Sequence, residues 1–342
     1  MSEKSIQYPV SSIDSSMHTP VAFLIYRRPD LTGQVFARIA EVRPPKLLVV
    51  ADGPRGPEEA EACRGARAAT EKVDWPCEVL REYADTNMGC RKRVATGLDW
   101  VFSQVEEAVV VEDDCLPDRS FFGFCQELLD RYRDDARVGH IGGSNPLGGS
   151  ENQEHSYYFS RYPMIWGWAT WRRAWSLYDA DMGQWPEVRA SGRYRRWFDS
   201  ASDARHFRTL WDGIMEGRID TWDAQWAFCR LLAGTLSVIP AVNMVANIGF
   251  RTDASRTTDP GDPLAMAPAR SMTFPLRHPP TVACTQREDR RLADLAFVPD
   301  PWWKPISDRL LNKHFYGALI RRVPALGGAW GRWRGRRKET TV

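Results

Sequence analysis

The sequence predicts an α/β fold in which a mostly parallel sheet is flanked by helices. Short apolar runs alternate with helical patterns as far as residue 111, in the order β-α-β-α-β-α-β. The links between them are short, which favours parallel strands joined by right-handed crossovers. One of these apolar runs, residues 108–111, is followed at once by three carboxylates, Glu112, Asp113 and Asp114. A buried strand that ends in charge is typical of an open sheet whose ligands bind at the carboxyl edge.

The individual elements follow from local patterns. Strands are predicted at 20–26, 46–51, 77–83, 108–111, 138–142 and 235–240, where apolar and β-branched residues lie between turn residues. Helices are predicted at 31–39, 53–72, 90–105, 120–132, 185–220 and from Thr221 onwards. Aromatic residues concentrate at 157–175. Within that stretch and just beyond it, Trp171, Trp175 and Tyr178 have the spacing of a helix face, and such a stripe is most often part of a core.

Composition excludes several classes of function. The formal net charge is only +2 over 342 residues, which gives no case for a nucleic-acid partner. The seven cysteines are scattered, with no CxxC pair and no histidine at zinc spacing, as suits a reducing compartment. No segment approaches the ~20 apolar residues that a membrane span needs, and the polar N-terminus lacks the apolar core of a signal peptide. We therefore expect a soluble, cytoplasmic protein.

The chain divides into three expected regions. Residues 1–18 predict a disordered lead-in, residues 19–255 the α/β domain, and residues 256–342 an irregular extension that is Pro-rich at first and basic at its end. The basic residues of the tail are Arg321, Arg322, Arg332, Arg334, Arg336, Arg337 and Lys338, and Trp330 and Trp333 lie among them. Such a tail is either solvated or in peripheral contact with an anionic membrane, here its inner face.

The acidic triplet has two interpretations. Adjacent carboxylates repel one another near a buried edge unless a cation or ligand hydroxyls share the charge. Mg²⁺ commonly binds one or two carboxylates together with substrate phosphates, so the triplet favours a metal–diphosphate site. The alternative is a solvated turn at the end of a strand.

The corner formed by Trp166, Gly167 and Trp168 also has two interpretations. Flat rings beside a glycine suit a sugar in an acceptor-binding loop, and they equally suit a core.

Six signals occur in order along the chain. They are the first strand with Arg28, the second strand ending at Asp52, Asn87-Met-Gly-Cys90, Val109-Val-Val-Glu-Asp-Asp114 followed by Phe121-Phe122, Trp166-Gly-Trp168, and Trp222-Asp-Ala-Gln-Trp226. In this order they resemble the GT-A (Rossmann-like) fold glycosyltransferases. The resemblance is close to the bacterial family-2-like transferases and more distant to the animal N-acetylglucosaminyltransferases that start complex N-glycans. It covers about residues 19–250.

The resemblance implies a role for each matching position. It implies that Asp52 binds the nucleotide base, that Arg28 lies near the diphosphate, and that Asp114 coordinates Mn²⁺ or Mg²⁺. It implies further that Glu112 and Asp113 face the ribose and sugar, that Arg91 or Arg93 reaches the nucleotide or donor sugar, and that Asp223 is the general base. One position departs from the family: bacterial relatives usually have histidine where this chain has Arg256. Arginine can still bind phosphate through its fork of donors.

The expected function is a metal-dependent, inverting glycosyltransferase. It would move a sugar from a nucleotide-diphosphate donor to a hydroxyl group of a glycan or lipid-linked glycan, and Asp52 favours uracil because its carboxylate can accept the N3–H of that base. One rival is a sugar-nucleotide nucleotidyltransferase, although residues 24–29 lack the glycine-rich phosphate loop expected there. The other is a non-catalytic sugar-binding protein of the same fold. For the helix that begins near Thr221, Asp223 is either the base or a cap, with Asp220 as a second candidate for both.

Overall fold

The computed structural model describes residues 17–148, 154–251 and 267–296. The strands are β1 (Val21–Ile25), β2 (Lys46–Ala51), β3 (Glu78–Tyr83), β4 (Glu107–Glu112), β5 (Cys115–Pro117), β6 (Val138–Gly142), β7 (Tyr157–Ser160), β8 (Trp168–Trp171), β9 (Leu236–Pro240) and β10 (Val245–Asn247). The helices are α1 (Pro29–Val42), α2 (Pro57–Ala68), α3 (Cys90–Gln104), α4 (Arg119–Tyr132), α5 (Arg172–Trp175), α6 (Trp185–Ser191), α7 (Ala201–Met215), α8 (Asp223–Ala233) and α9 (Gln286–Ala296), with a 3₁₀ turn at Arg193–Trp197.

Eight strands form one sheet in the order β3-β2-β1-β4-β8-β6-β9-β7. The pairs β1–β2, β1–β4, β2–β3 and β6–β9 are parallel. Since β8 is antiparallel to both β4 and β6, those two strands share one direction, and only β8 and β7 run against the rest. The predicted α/β class with a mostly parallel sheet flanked by helices is therefore confirmed.

Alternation along the central strands divides the core into two layers. Val21, Phe23 and Ile25 face the side on which α1 and α4 pack. Ala22 and Leu24 face the other side, where α3 contributes Leu98 and Val101. Both sides of the sheet are covered, which explains why these strands are apolar at every position and not only at alternate ones.

The aromatic stretch is built differently from the prediction. Trp171 ends strand β8 and does not lie on a helix, and α5 is a single turn that carries Trp175. The prediction of a helix was wrong for Trp171, because a strand followed directly by one helical turn gives the same sequence separation of three or four residues as a helix face. Both rings are nevertheless buried, so the interpretation of Trp171 and Trp175 as core residues is correct.

Residues beyond the main sheet pack against it. Strands β5 and β10 form a separate antiparallel pair beside the end of β4. The irregular segment 267–285 buries Met272 and Leu276 in the core, and His278 is 2.9 Å from the Tyr157 hydroxyl. The predicted lead-in as far as residue 16, the position of Arg256 and the basic tail from residue 297 lie outside the described residues. In the part of the chain that is described, no helix combines the length and the apolarity needed to cross a membrane.

Candidate functional site

Three parallel strands bring the predicted acidic and basic residues to one edge. In the sheet register, Leu24 lies beside Glu112 and Ile25 lies beside Ala51. The turns that follow β1, β2 and β4 therefore leave the sheet at the same level and carry Arg28, Asp52 and the acidic triplet. This is the edge at which open α/β sheets bind ligands.

Arg28 holds two of the three triplet carboxylates. Its Nη2 donates to Asp113 Oδ1 at 2.5 Å and to Asp114 Oδ2 at 2.9 Å. The second oxygen of Asp113 accepts the Tyr26 backbone N–H at 3.0 Å. Asp113 is thus fixed on both oxygens and nearly buried, whereas the side chain of Asp114 keeps 17% of its surface exposed. Of the two acids, Asp114 is the one that a ligand can reach.

The charges at this edge are not balanced by protein cations. Burial, together with the negative charges of Asp114, Asp113 and Asp223, raises the pKa of Glu112 to about 8, although Arg28 opposes the shift. Burial also raises the pKa of Asp113 to about 6, against the opposing effect of Arg28. Carboxylates that resist ionisation in this way favour a site whose remaining positive charge comes from a ligand.

Asp52 is fastened to the loop that precedes α3. Its Oδ1 accepts the backbone N–H groups of Gly53 at 2.8 Å and Met88 at 2.9 Å, and its Oδ2 accepts Asn87 Nδ2 at 2.9 Å. Burial raises the pKa of Asp52 although these hydrogen bonds oppose the shift. A carboxylate oxygen has two acceptor positions, so Oδ2 keeps one for a ligand. The sequence motif Asn87-Met-Gly-Cys90 thus serves to orient Asp52, a role that sequence reasoning missed.

Asp223 lies near the same edge and comes from a later part of the chain, the start of α8. It is the first residue of α8, whose N-cap is Trp222, and no side chain caps this helix. The carboxylate of Asp223 instead accepts a hydrogen bond from the Thr221 hydroxyl, and its charge acts on Glu112. Asp220, the other candidate, is exposed and lies beside Gly89. The side chain of Asp223 thus does not cap α8, and its charge lies near enough to Glu112 to raise the pKa of that carboxyl.

The predicted acceptor corner is split between surface and core. Trp166 is half-buried and meets Phe250 edge to face at 5.7 Å between ring centroids. Gly167 has a φ of +61°, and a Cβ there would lie 2.7 Å from Val245 Cγ2, so only glycine fits. Trp168 is completely buried between His140 and Trp222, with ring centroids 5.1 and 5.6 Å away. In the structure Trp168 is a core residue, which corrects its predicted place in a sugar-binding loop.

The two candidate arginines of α3 have different surroundings. Arg93 is buried, and its Nη2 pairs with the Glu82 carboxylate and donates to the Glu82 carbonyl at 2.8 Å. Its charge still lowers the pKa of Asp52, so it supports that carboxylate from behind. Arg91 is half-buried and close enough to Tyr178 to lower the pKa of that phenol against the effect of burial. Of the two, Arg91 remains the one with an accessible guanidinium.

A segment from much later in the chain closes over Asp114. The Ile248 backbone N–H donates to the Asp114 carbonyl at 2.8 Å. A Cβ on Gly249 would lie 2.5 Å from Asp114 Oδ2, so the absence of a side chain there lets the carboxylate and the backbone approach. Sequence reasoning missed Gly249, and the only signal was its place beside the pattern that contains Arg256.

The donor set at this edge suits a hard divalent cation. Carboxylate oxygens are the ligands that Mg²⁺ and Mn²⁺ prefer, and such ions often take one or two of them with substrate phosphates and water. Among the residues that the structure describes, no group of three or more His, Cys, Asp or Glu side chains converges as a metal site. Asp114 would therefore be the main protein ligand, with Glu112 as its half-buried neighbour.

Comparison with known proteins gives little. No family model and no curated protein matches the chain. Partly similar solved structures include a UDP-glucose pyrophosphorylase complexed with UDP-glucose (11% identity, 46% of this chain and 79% of that one, TM-score 0.28). Another is a 4-diphosphocytidyl-2C-methyl-D-erythritol synthase from Anaerococcus prevotii (7% identity, 46% of this chain and 74% of that one, TM-score 0.29). Similarity at this level supports no conclusion about function.

Proposed function

We propose that the protein is a metal-dependent, inverting glycosyltransferase that uses a nucleotide-diphosphate sugar, preferably a UDP-sugar. The observation that carries the proposal is the meeting of Arg28, Asp52, Asp114 and Asp223 at one edge of the sheet, from four separate parts of the sequence. Base binding, diphosphate neutralisation and proton removal are the three tasks of such a transfer. Each task has a suitable side chain here.

The acceptor hydroxyl must lose a proton as the sugar is transferred. Asp223 would take that proton, and its hydrogen bond from Thr221 would hold the carboxylate in one orientation. A single base that acts on the face opposite the leaving group implies inversion at the anomeric carbon. Trp166 and Phe250 would supply flat apolar surface for the acceptor glycan and limit the access of water.

The leaving diphosphate must be stabilised as its charge develops. A bound Mn²⁺ or Mg²⁺, held by Asp114, would offset that charge. Arg28 would add a second positive group, because its guanidinium already spans Asp113 and Asp114. Arg91 would contact the donor, and Arg256 would add a phosphate-binding fork. The acceptor would be a glycan or a lipid-linked glycan, and in the second case the basic tail would contact an anionic membrane.

The rival nucleotidyltransferase is less well supported by the turn after β1. Such an enzyme needs free backbone N–H groups there for the triphosphate, whereas the Tyr26 N–H is occupied by Asp113. A non-catalytic sugar-binding protein would have no need of the strained charge balance around Glu112.

One assay separates the three candidates. Purified protein is incubated with Mn²⁺ and a panel of nucleotide sugars, and released UDP is measured with and without glycan acceptors. A parallel reaction contains UTP and sugar 1-phosphates, and pyrophosphate is measured. We expect UDP release that Asp114→Asn nearly abolishes. Pyrophosphate release without UDP release would identify a nucleotidyltransferase, and binding without either product would identify a sugar-binding protein.

A further inference from the structure

A cavity lies in the helical part of the chain between β8 and α8, and its lining contains none of the residues at the sheet edge. It has a volume of about 380 Å³ and is bounded by the 3₁₀ turn and the first turns of α7. Its lining residues are Tyr194, Arg195, Phe198, Asp199, Ser200, Ala201, Ala204, Arg205 and Arg208. The volume is within the range of about 300–1,000 Å³ that is typical of small-molecule sites. None of these residues has a role in the proposed transfer.

Three guanidinium groups give this cavity a positive charge. Arg195 and Arg205 are exposed, and Arg208 is half-buried. Over the described part of the chain, none of the three forms an ion pair with a carboxylate, whereas other arginines there, such as Arg28, Arg93 and Arg161, do. The Nε of Arg208 is buried, so a ligand in the cavity would meet the Nη atoms of its guanidinium.

The one carboxylate in the lining is already engaged. Asp199 is 3.3 Å from Arg161 Nη1, and the same Nη1 donates to the Trp197 carbonyl at 2.7 Å. Arg161 therefore offsets the charge of Asp199 from outside the cavity. The rest of the lining is Ser200, Ala201, Ala204 and the largely covered rings of Tyr194 and Phe198. The cavity thus combines a cationic rim with a floor that is partly polar and partly apolar.

We propose that this cavity binds a small anionic ligand, one that carries a phosphate or a carboxylate group. The guanidinium forks of Arg205 and Arg208 would bind the oxyanion in the bidentate manner that arginine favours. The rest of the ligand would lie against Ser200 and Ala201. The site is separate from the donor site and stands or falls independently of the proposed transfer.

The test measures binding by the full-length protein with titration calorimetry. Glucose 6-phosphate and glucuronic acid are the two anionic probes, and glucose is the neutral one. The double variant Arg205→Gln/Arg208→Gln removes the proposed forks. Arg196→Gln is the matched control, because Arg196 lies in the 3₁₀ turn beside the cavity but does not line it. Thermal melting of each variant establishes that it is folded. UDP is added in a competition arm to detect binding at the sheet edge.

We expect the wild type and Arg196→Gln to bind at least one anionic probe in the millimolar range or tighter, and glucose much more weakly. The double variant should lose at least tenfold in affinity, since two charge-assisted contacts are removed. The probe that binds identifies the group as phosphate or carboxylate. No binding of either probe, equal binding of glucose, an unchanged affinity in the double variant, or displacement by UDP would each overturn the proposal.

Discussion

At the scale of single residues, Asp223 carries the sharpest prediction. Asp223→Asn keeps the size of the side chain and removes its basicity, so turnover should fall by about a hundredfold or more. Melting temperature and donor affinity should stay near those of the wild type, because no side chain caps α8 and none is therefore lost. Turnover is measured in a steady-state assay of sugar transfer, and melting temperature and donor affinity are measured on the same preparations.

The exposed neighbour Asp220 provides the control for this variant. Asp220→Asn should retain turnover within a few-fold of the wild type, since its carboxylate lies beside Gly89 and not beside the triplet. Thr221→Val removes the hydroxyl that donates to Asp223 and should lower turnover less than Asp223→Asn does, because it disturbs only the orientation of the carboxylate. If Asp220→Asn were the inactive variant, the base would have to be reassigned.

A second residue-scale prediction concerns base selection by Asp52. The backbone donors and Asn87 leave one acceptor position on Oδ2, which matches the N3–H of uracil. Cytosine has no proton at N3, so UDP should bind at least about tenfold more tightly than CDP, consistent with the ~1.5–3 kcal/mol of a hydrogen bond to a charged group. Titration calorimetry with both nucleotides measures this. Equal affinities would mean that Asp52 serves only to anchor the 87–89 loop.

At the scale of elements, two glycines in helices make a matched pair. Gly33 in α1 has open space where a Cβ would project, whereas a Cβ on Gly97 in α3 would lie 2.5 Å from Val50 Cγ1 of β2. Gly33→Ala should therefore stabilise the protein by roughly 0.5–1 kcal/mol through helix propensity. Gly97→Ala gains the same propensity but forces α3 away from the sheet, so it should destabilise. Urea denaturation of both variants tests the packing of α3, and equal effects would contradict it.

Elements also mark how far sequence reasoning reached. Residues 46–51 and 108–111 could be predicted because a short apolar run followed by a carboxylate is a local pattern. Trp171 in β8 was assigned to a helix because one strand and one helical turn reproduce helical spacing. The approach of Gly249 to Asp114 could not be predicted, because nothing local specifies which distant segment lies beside a strand end.

At the scale of the whole molecule, the acidic edge makes stability depend on pH. The pKa of Glu112 is about 8 in the folded protein and near 4.5 when unfolded. Between these values the folded state holds a proton that the unfolded state has released, so the free energy of unfolding falls as pH rises. Asp113, with a pKa of about 6, adds to the fall in the lower part of this range. The effect applies to protein kept free of divalent ions by a chelator.

Glu112→Gln tests this dependence directly. In chelator, the variant should lose less stability than the wild type between pH 6 and pH 8, because it has no acid at that position to ionise. Glu71→Gln, at an exposed site remote from the triplet, should keep the wild-type slope. Urea denaturation across the pH range provides the comparison. Parallel slopes for all three proteins would show that Glu112 ionises normally.

The reversed strand β8 has a consequence for how the chain is made. β4 pairs with β1 on one side and waits for β8 on the other, and residues 113–167 must be synthesised before that partner exists. Until then one edge of β4 is open, with its backbone N–H and C=O groups available to any other chain. A chain truncated before residue 168 should therefore aggregate more readily than the full-length protein.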